Sequence, residues 1–455
     1  MNKDSLPNEH KILSLVAIAA DIEWVTQNTA IMVVHGIGDQ LPLETLDQFG
    51  RGLTRQYRKT YPDAISLSHE IISKTDKNGT KWFDNVLRLK KDDSEHFIDV
   101  YEYYWADYTE DKASWNDLNT WLQGVVNGAE KFYQKNGQIG QQYKDKSPFF
   151  DTKTGKFKVG TYRFFMTFVS RLFLIMDLLW RLIIWIVGRI PFQGKLADGM
   201  LQSYADSKIH DLTNILGDVA IYNVVDPKSK FYAVRRNILN GAVNALQFLI
   251  ERAEDYTPDD GREQEVKPPL QDLKLYYPAV IVAGHSLGSQ VAYDAINQFN
   301  LLINKQEIVN YNEKGICRYY GGNHLKEQLR GFITFGCPLD KIVFFLRENV
   351  PDNEYLRQQL LDNFHGFKQR ALNFGNNRLK NKAFMEVYCD LEKMLDGIQW
   401  RNYYDSKDYV SGGLDYYTNL INIDCRFKAG RFGFTHSYYW DCDDFFVDII
   451  CNYLV

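Results

Sequence analysis

The chain has 455 residues, of which 45% are hydrophobic and 24% charged, a usage that excludes a wholly disordered or collagen-like polymer and leaves ample length for a core. Its formal net charge of -5 offers no basic field for wrapping nucleic acid, so no nucleic-acid partner is expected. The six cysteines, Cys317, Cys337, Cys389, Cys425, Cys442 and Cys451, lack the short regular spacings of a zinc site or a disulfide scaffold, which points to a reducing compartment and to no metal.

In chain order, the opening MNKDSLPNEHKILSLVAIAADIEW carries acids and a proline ahead of any apolar run, unlike a signal peptide, and a cytoplasmic location is expected. Ala30 to Val34 in TAIMVVHGIGDQ form a continuous apolar run closed by glycines, which predicts a strand buried on both faces of a parallel sheet. HFIDVYEYYWADY (96–108) predicts a second strand. From 111 to 160 the sequence turns polar and aromatic, with DKSPFFDTKTGKFKVG expected as an exposed loop. The next segment, YRFFMTFVSRLFLIMDLLWRLIIWIVGRIPF (162–192), is intensely apolar but lacks the uninterrupted run of ~18 residues that a spanning helix needs. At about 100° per residue, Arg163, Arg171, Asp177, Arg181 and Arg189 fall within an arc of about 120°. Asp177 and Arg181 form an i,i+4 pair. One narrow polar stripe therefore opposes a wide apolar surface.

LGDVAIYNVV (216–225) predicts a further strand, and Val234, Ile238, Ala242, Ala245 and Leu249 fall at helical spacing. PAVIVAGHSLGSQVAYDAI (278–296) joins an apolar strand to a helix whose apolar face carries Val291, Ala292, Ala295, Ile296 and Phe299. LRGFITFGCPLDK (329–341) supplies another strand, and IQWRNYYDSKDYVSGGLDYY (398–417) runs from an apolar-aromatic strand into an acidic loop. Strands alternating with helices predict an α/β fold with a doubly wound, mostly parallel sheet. Residues 1–110 and 216–455 make the two parts of its core. Residues 111–215 make an insertion.

The turn Gly284-His285-Ser286-Leu287-Gly288 raises the chemistry. A Gly-x-Ser-x-Gly pattern is weak alone, but a preceding apolar strand, a following amphipathic helix and the small Gly284, Gly288 and Ser289 are what a sharp strand-to-helix turn needs to lift a serine out of the fold. Ser286 is the expected nucleophile; the plainer reading is a turn whose serine caps a helix. Attack on a carbonyl needs donors where negative charge develops. The backbone N–H of Leu287 is one candidate and that of Ile37, after His35-Gly36, the other, with His35 shaping the loop. A phosphate-binding loop is the competing reading, but neither Gly-x-Gly-x-x-Gly spacing nor a Walker lysine is present there. The base must follow the acid in chain order, which favours His436 over His324 and His365. Asp408 is the favoured acid, with Asp405 and Asp340 as alternatives.

Taken together, VHGIGDQ, GHSLGS, FITFGCPLD, WRNYYDSKDYVSG and THSYYW resemble, in that order, the α/β-hydrolase superfamily and its lipase-like bacterial members. The resemblance covers about 30–110 and 215–450. It implies an α/β-hydrolase fold, Ser286 as nucleophile, Asp408 as acid, His436 as base, and Ile37 with Leu287 as oxyanion donors. Cys337 stands where such proteins often have serine, and Tyr409 where a proline often follows the acid, so Asp405 and Asp408 both remain open. The insertion is expected to be a helical cap or a membrane-binding element, with 162–192 as an interfacial anchor, a buried lid or dimer helix, or a membrane-inserted hairpin. The expected function is hydrolysis of a carboxylic ester, of a lipid or phospholipid, without cofactor. Thioesterase or acyltransferase chemistry on the same triad is the first alternative. A non-catalytic, membrane-associated scaffold is the second.

Overall fold

The computed structural model describes residues 9–13, 22–37, 41–75, 81–109, 112, 115–135, 149–164, 166–167, 218–224, 229–252, 274–304, 328–345, 398–408, 410–414, 417, 420–428 and 435–454. The amphipathic segment 162–192, apart from its first residues, lies outside this set, as do His324, His365 and Tyr409.

Nine strands form one sheet: β1 (Glu9–Ile12), β2 (Thr29–Val34), β3 (Ile65–Thr75), β4 (Lys81–Lys91), β5 (Phe97–Tyr103), β6 (Ala279–His285), β7 (Leu329–Phe335), β8 (Gln399–Tyr404) and β9 (Leu420–Asp424). Their spatial order is β1-β9-β8-β7-β6-β2-β5-β4-β3. From β1 through β5 in that order every pairing is parallel, and only the β3–β4 hairpin adds antiparallel strands. The helices are α1 (Glu44–Thr60), α2 (Trp115–Lys135), α3 (Tyr232–Glu251), α4 (Gly288–Asn304), α5 (Leu339–Phe345) and α6 (Asp443–Ile449). This is an α/β architecture with a mostly parallel sheet.

The period-2 alternation of a strand divides the core. Ala30, Met32 and Val34 of β2 point into one apolar layer with Leu246 of α3 and Val291 and Ile296 of α4. Ile31 and Val33 point into the other, with Phe49 and Leu53 of α1 and Phe445 and Phe446 of α6. Every residue of β2 and β6 is buried, which is why both read as unbroken apolar runs. The helical positions Ile238, Ala242, Ala245 and Leu249, and all five positions expected on α4, are fully buried.

Two local expectations are corrected. In 216–225 the described residues 218–222 are helical, not extended. Their apolar spacing is met by burying Ala220, Ile221 and Tyr222, whose hydroxyl donates to Asp294 on α4 at 3.1 Å. In the loop around 149–158, Phe149 and Phe150 are buried, and only the tip is exposed, turned by Asp151 accepting from the Lys153 and Thr154 N–H groups. These phenylalanines join Val125 and Tyr133 of α2 in the apolar layer that also holds Tyr103 and Trp105. The described part of residues 111–215 thus belongs to the same apolar layer as one face of the sheet. Among the described residues, no helix is long and apolar enough to cross a membrane.

Candidate active site

Because β2, β6, β7, β8 and β9 run parallel, the loops that follow them open on one edge of the sheet, the edge at which open α/β sheets bind ligands. Every expected site residue falls there. Ser286 leaves β6 with φ 51, a left-handed conformation that costs a residue with a β-carbon about 1–2 kcal/mol. Its N–H donates to the Phe335 carbonyl at 3.0 Å, and its own carbonyl accepts from Ser289 at 3.0 Å as α4 begins. The turn needs glycine for contact reasons. A β-carbon on Gly288 would run into the carbonyls of Val34 and His35, and one on Gly36 would lie 2.7 Å from Ser286 Cβ. Gly284 is likewise closed off, by Ser289 Cα at 2.5 Å. Loop β2–α1 and the Ser286 turn therefore touch backbone to backbone.

Ser286 is 1% exposed and its Oγ makes no hydrogen bond to a described group. An unpaired buried hydroxyl is a cost that calls for a reason. Leu287 accepts at its carbonyl from Gln290 and Val291, while its N–H enters none of the backbone bonds among the described residues. On the facing loop, His35 Nε2 accepts from the Trp105 and Ala106 N–H groups at 2.8 and 3.2 Å. The proton therefore sits on Nδ1, which donates to the Gly36 carbonyl at 2.7 Å and fixes the peptide plane that carries the Ile37 N–H. Burial pushes the His35 imidazole down to about 4. With both nitrogens occupied and its ring stacked on Trp105, His35 is a strut.

His436 lies in the loop after β9 and approaches from the other side. Its Nδ1 donates to Asp408 Oδ2 at 2.9 Å, and its Cε1 lies 2.9 Å from where a β-carbon would stand on Gly336, a residue held at φ 62. Asp408 has a side chain 1% exposed. Burial opposes its charge, but His436, the Val410 N–H and Ser411 overcome that and hold the carboxyl below the usual carboxylate range. The hydrogen bond from Ser286 Oγ to His436 is not made in this structure, and such bonds often close only with substrate in place.

The three candidate acids are told apart by their partners. Asp405 spends both oxygens on backbone, accepting from Lys407 at 2.7 Å and Phe427 at 2.5 Å, so it caps the turn. Asp340 sits, partly buried, in the first turn of α5, and the one proton on His436 Nδ1 goes to Asp408. The acid loop is tied down from behind: Lys341 donates to the Ser411 carbonyl at 2.7 Å, and Asn402 donates to the Gly412 carbonyl and to Asn422 at 3.0 and 2.9 Å.

Three further residues, all inside the quoted strings, shape the site. His285 packs its ring 5.0 Å from that of His436 and beside Trp440; burial, with the neighbouring His436 charge, pushes it down to about 3. Cys337 is buried and its thiol is pushed up to about 12 by that burial, so it is no thiolate nucleophile. Tyr439, three residues after His436, donates to Asp408 Oδ2 at 3.1 Å and accepts from the Asp405 N–H at 3.1 Å. The THSYYW string contains it, but nothing in its spacing separates it from its aromatic neighbours. Among the described residues no cluster of His, Cys, Asp and Glu is placed to hold a metal ion.

Comparison of the chain with protein-family models, curated proteins and solved structures returned no match.

Proposed function

We propose that this protein is a serine hydrolase that cleaves carboxylic esters through Ser286, His436 and Asp408, with an acyl-enzyme intermediate. The observation that carries this reading is the strained Ser286 at φ 51 with an unpaired, buried Oγ, on the same sheet edge as the hydrogen-bonded His436–Asp408 pair. Strain and an orphaned hydroxyl persist where function requires them. In the reaction, His436 Nε2 takes the proton as Ser286 Oγ attacks the ester carbonyl. Asp408 stabilises the imidazolium and holds its tautomer. The N–H groups of Leu287 and Ile37 receive the developing oxyanion. The alcohol leaves with the proton from His436, and water activated by the same imidazole releases the acid.

The lipid or phospholipid class within this reading rests on sequence: the wide apolar face and arginine stripe of 162–192 suit contact with a membrane surface. Leu41, 68% exposed, adds apolar surface to the loop after β2. Acyl transfer to a thiol or alcohol uses the same triad and differs only in the acceptor. A non-catalytic scaffold would have no use for a strained, unpaired serine. Labelling with a fluorophosphonate probe separates the catalytic readings from the scaffold: wild type is expected to label and Ser286→Ala to stay blank. An unlabelled wild type, or a labelled Ser286→Ala, rejects the assignment.

A further inference from the structure

We propose that Tyr439 is a positioning residue of the triad, one that sets the orientation and basicity of the Asp408 carboxylate toward His436. The inference rests on the serine-hydrolase reading above. Tyr439 is fully buried. Its single hydroxyl proton goes to Asp408 Oδ2, the oxygen that also accepts from His436 Nδ1. The same phenol oxygen accepts from the Asp405 N–H and lies 3.1 Å from Ser411 Oγ. One hydroxyl thereby ties the loop that carries the acid to the short 3-10 turn, Tyr438–Asp441, that follows the base. The ring is held between Phe427 and Phe335 at centroid distances of 5.0 and 6.0 Å, so it has no freedom to swing away. Burial, with the Asp408 charge, raises the phenol well above its ordinary range; it remains a donor at every working pH. The carboxylate oxygen facing the imidazole thus has two donors, and the phenol withdraws part of its charge from the imidazolium that forms during attack.

The sign of the effect follows. Removing the phenol proton leaves more charge on Asp408 for the imidazolium, so the acidic limb of the pH–rate profile moves to higher pH. It also frees the carboxylate to rotate, so kcat falls while KM holds. The test compares Tyr439→Phe with Tyr438→Phe, an exposed neighbour, on a short soluble ester from pH 5 to 10, together with thermal melting and the low-field proton resonance of His436 Nδ1. Tyr439→Phe is expected to lose about tenfold or more in kcat, the factor that follows from losing a hydrogen bond to a charged group. It should raise the acidic limb by about half a unit or more and move the resonance, with KM within about twofold. Tyr438→Phe should match wild type throughout. An unshifted profile and resonance in a folded Tyr439→Phe overturn the proposal, as does a loss that only tracks the folded fraction. The resonance is independent of turnover. A wild type with no hydrolysis but a resonance that moves in Tyr439→Phe would reject the hydrolase reading while keeping the positioning role.

Discussion

Replacing Ser286, the proposed nucleophile, by glycine should make the protein inactive and more stable. Ser286 holds φ 51, and releasing a β-carbon from that region returns about 1–2 kcal/mol. Its Oγ is buried without a partner, and removing such a group returns about 1–3 kcal/mol. Against this, glycine loosens the unfolded chain, which costs about 0.5–1 kcal/mol. The balance for Ser286→Gly is a gain of about 1–4.5 kcal/mol. Ser286→Ala sheds the hydroxyl but keeps the strain and should gain about 1–3 kcal/mol. At about 2.1 cal/mol/K of unfolding entropy per residue, a chain of this length moves its melting point by only about 1 °C per kcal/mol. Urea titration is therefore the sharper assay. The expected order of midpoints is glycine, then alanine, then wild type, with fluorophosphonate labelling confined to wild type. Equal midpoints, or a destabilised glycine variant, would refute the claim that this turn stores free energy for catalysis.

Asp408→Asn should cut kcat by ~10⁴, as loss of the orienting carboxylate does in the serine-protease template. Asp405→Asn should instead weaken folding by about 1–3 kcal/mol and leave the folded fraction active; a dead, fully folded Asp405→Asn would exchange the two roles. The pH dependence of stability should reflect opposing groups. His35 and His285 are pushed down to about 4 and 3 by burial, so the unfolded chain binds their protons first and stability falls as pH drops from about 6.5 toward those values. Glu102, pushed up to about 7 by burial, acts the other way: its contribution is present below about 4.5 and is lost as pH rises through 7. Glu102→Gln should remove that loss and steepen the acid decline in urea midpoints measured from pH 4 to 8, and parallel curves for the two proteins would contradict it. Gly336→Ala places a methyl 2.9 Å from His436 Cε1 in a backbone held at φ 62. It should lower kcat on a soluble ester by about 100-fold, the order expected for an ångström of misplacement, and wild-type kcat would show that the imidazole does not sit against this glycine.

The central strands were legible because burial on both faces leaves a plain chemical mark: TAIMVV and AVIVAGH contain almost nothing that wants water. The Ser286 turn was legible because its glycines are imposed by backbone contact, which no other residue tolerates. The edges were not. Leu67 and Ile71 on β3 are 43% and 81% exposed, so the β3–β4 hairpin follows neither a buried nor a clean half-buried pattern. β1 and β9 are only four and five residues long, too short for periodicity to register. LGDVAIYNVV is rich in the β-branched and aromatic residues of a strand, but its tyrosine is satisfied by Asp294, a partner 72 residues away that no local pattern contains. Tyr439 was hidden for a similar reason. In a chain with 29 tyrosines, a phenol acquires a role only when folding brings a carboxylate to it.

The choice among the three acids turns on sheet geometry. Strands β6, β7 and β8 are consecutive neighbours in register, with Gly284 opposite Thr334 and Thr334 opposite Asn402. At about 4.8 Å per strand, the end of β6, where Ser286 sits, lies roughly 10 Å from the end of β8, where Asp408 sits. An imidazole bonded at both nitrogens spans a gap of that order, provided that nothing on the intervening strand fills it. The residue that follows β7 in the middle of the gap is Gly336, which presents no side chain to His436. Asp340, in the first turn of α5 after β7, lies only one strand from Ser286, and the proton on His436 Nδ1 goes to Asp408 instead. The bare glycine after β7 and the candidate acid one strand beyond it are thus two parts of the same geometric arrangement, and the loop after β9 need only return His436 across the edge to complete it.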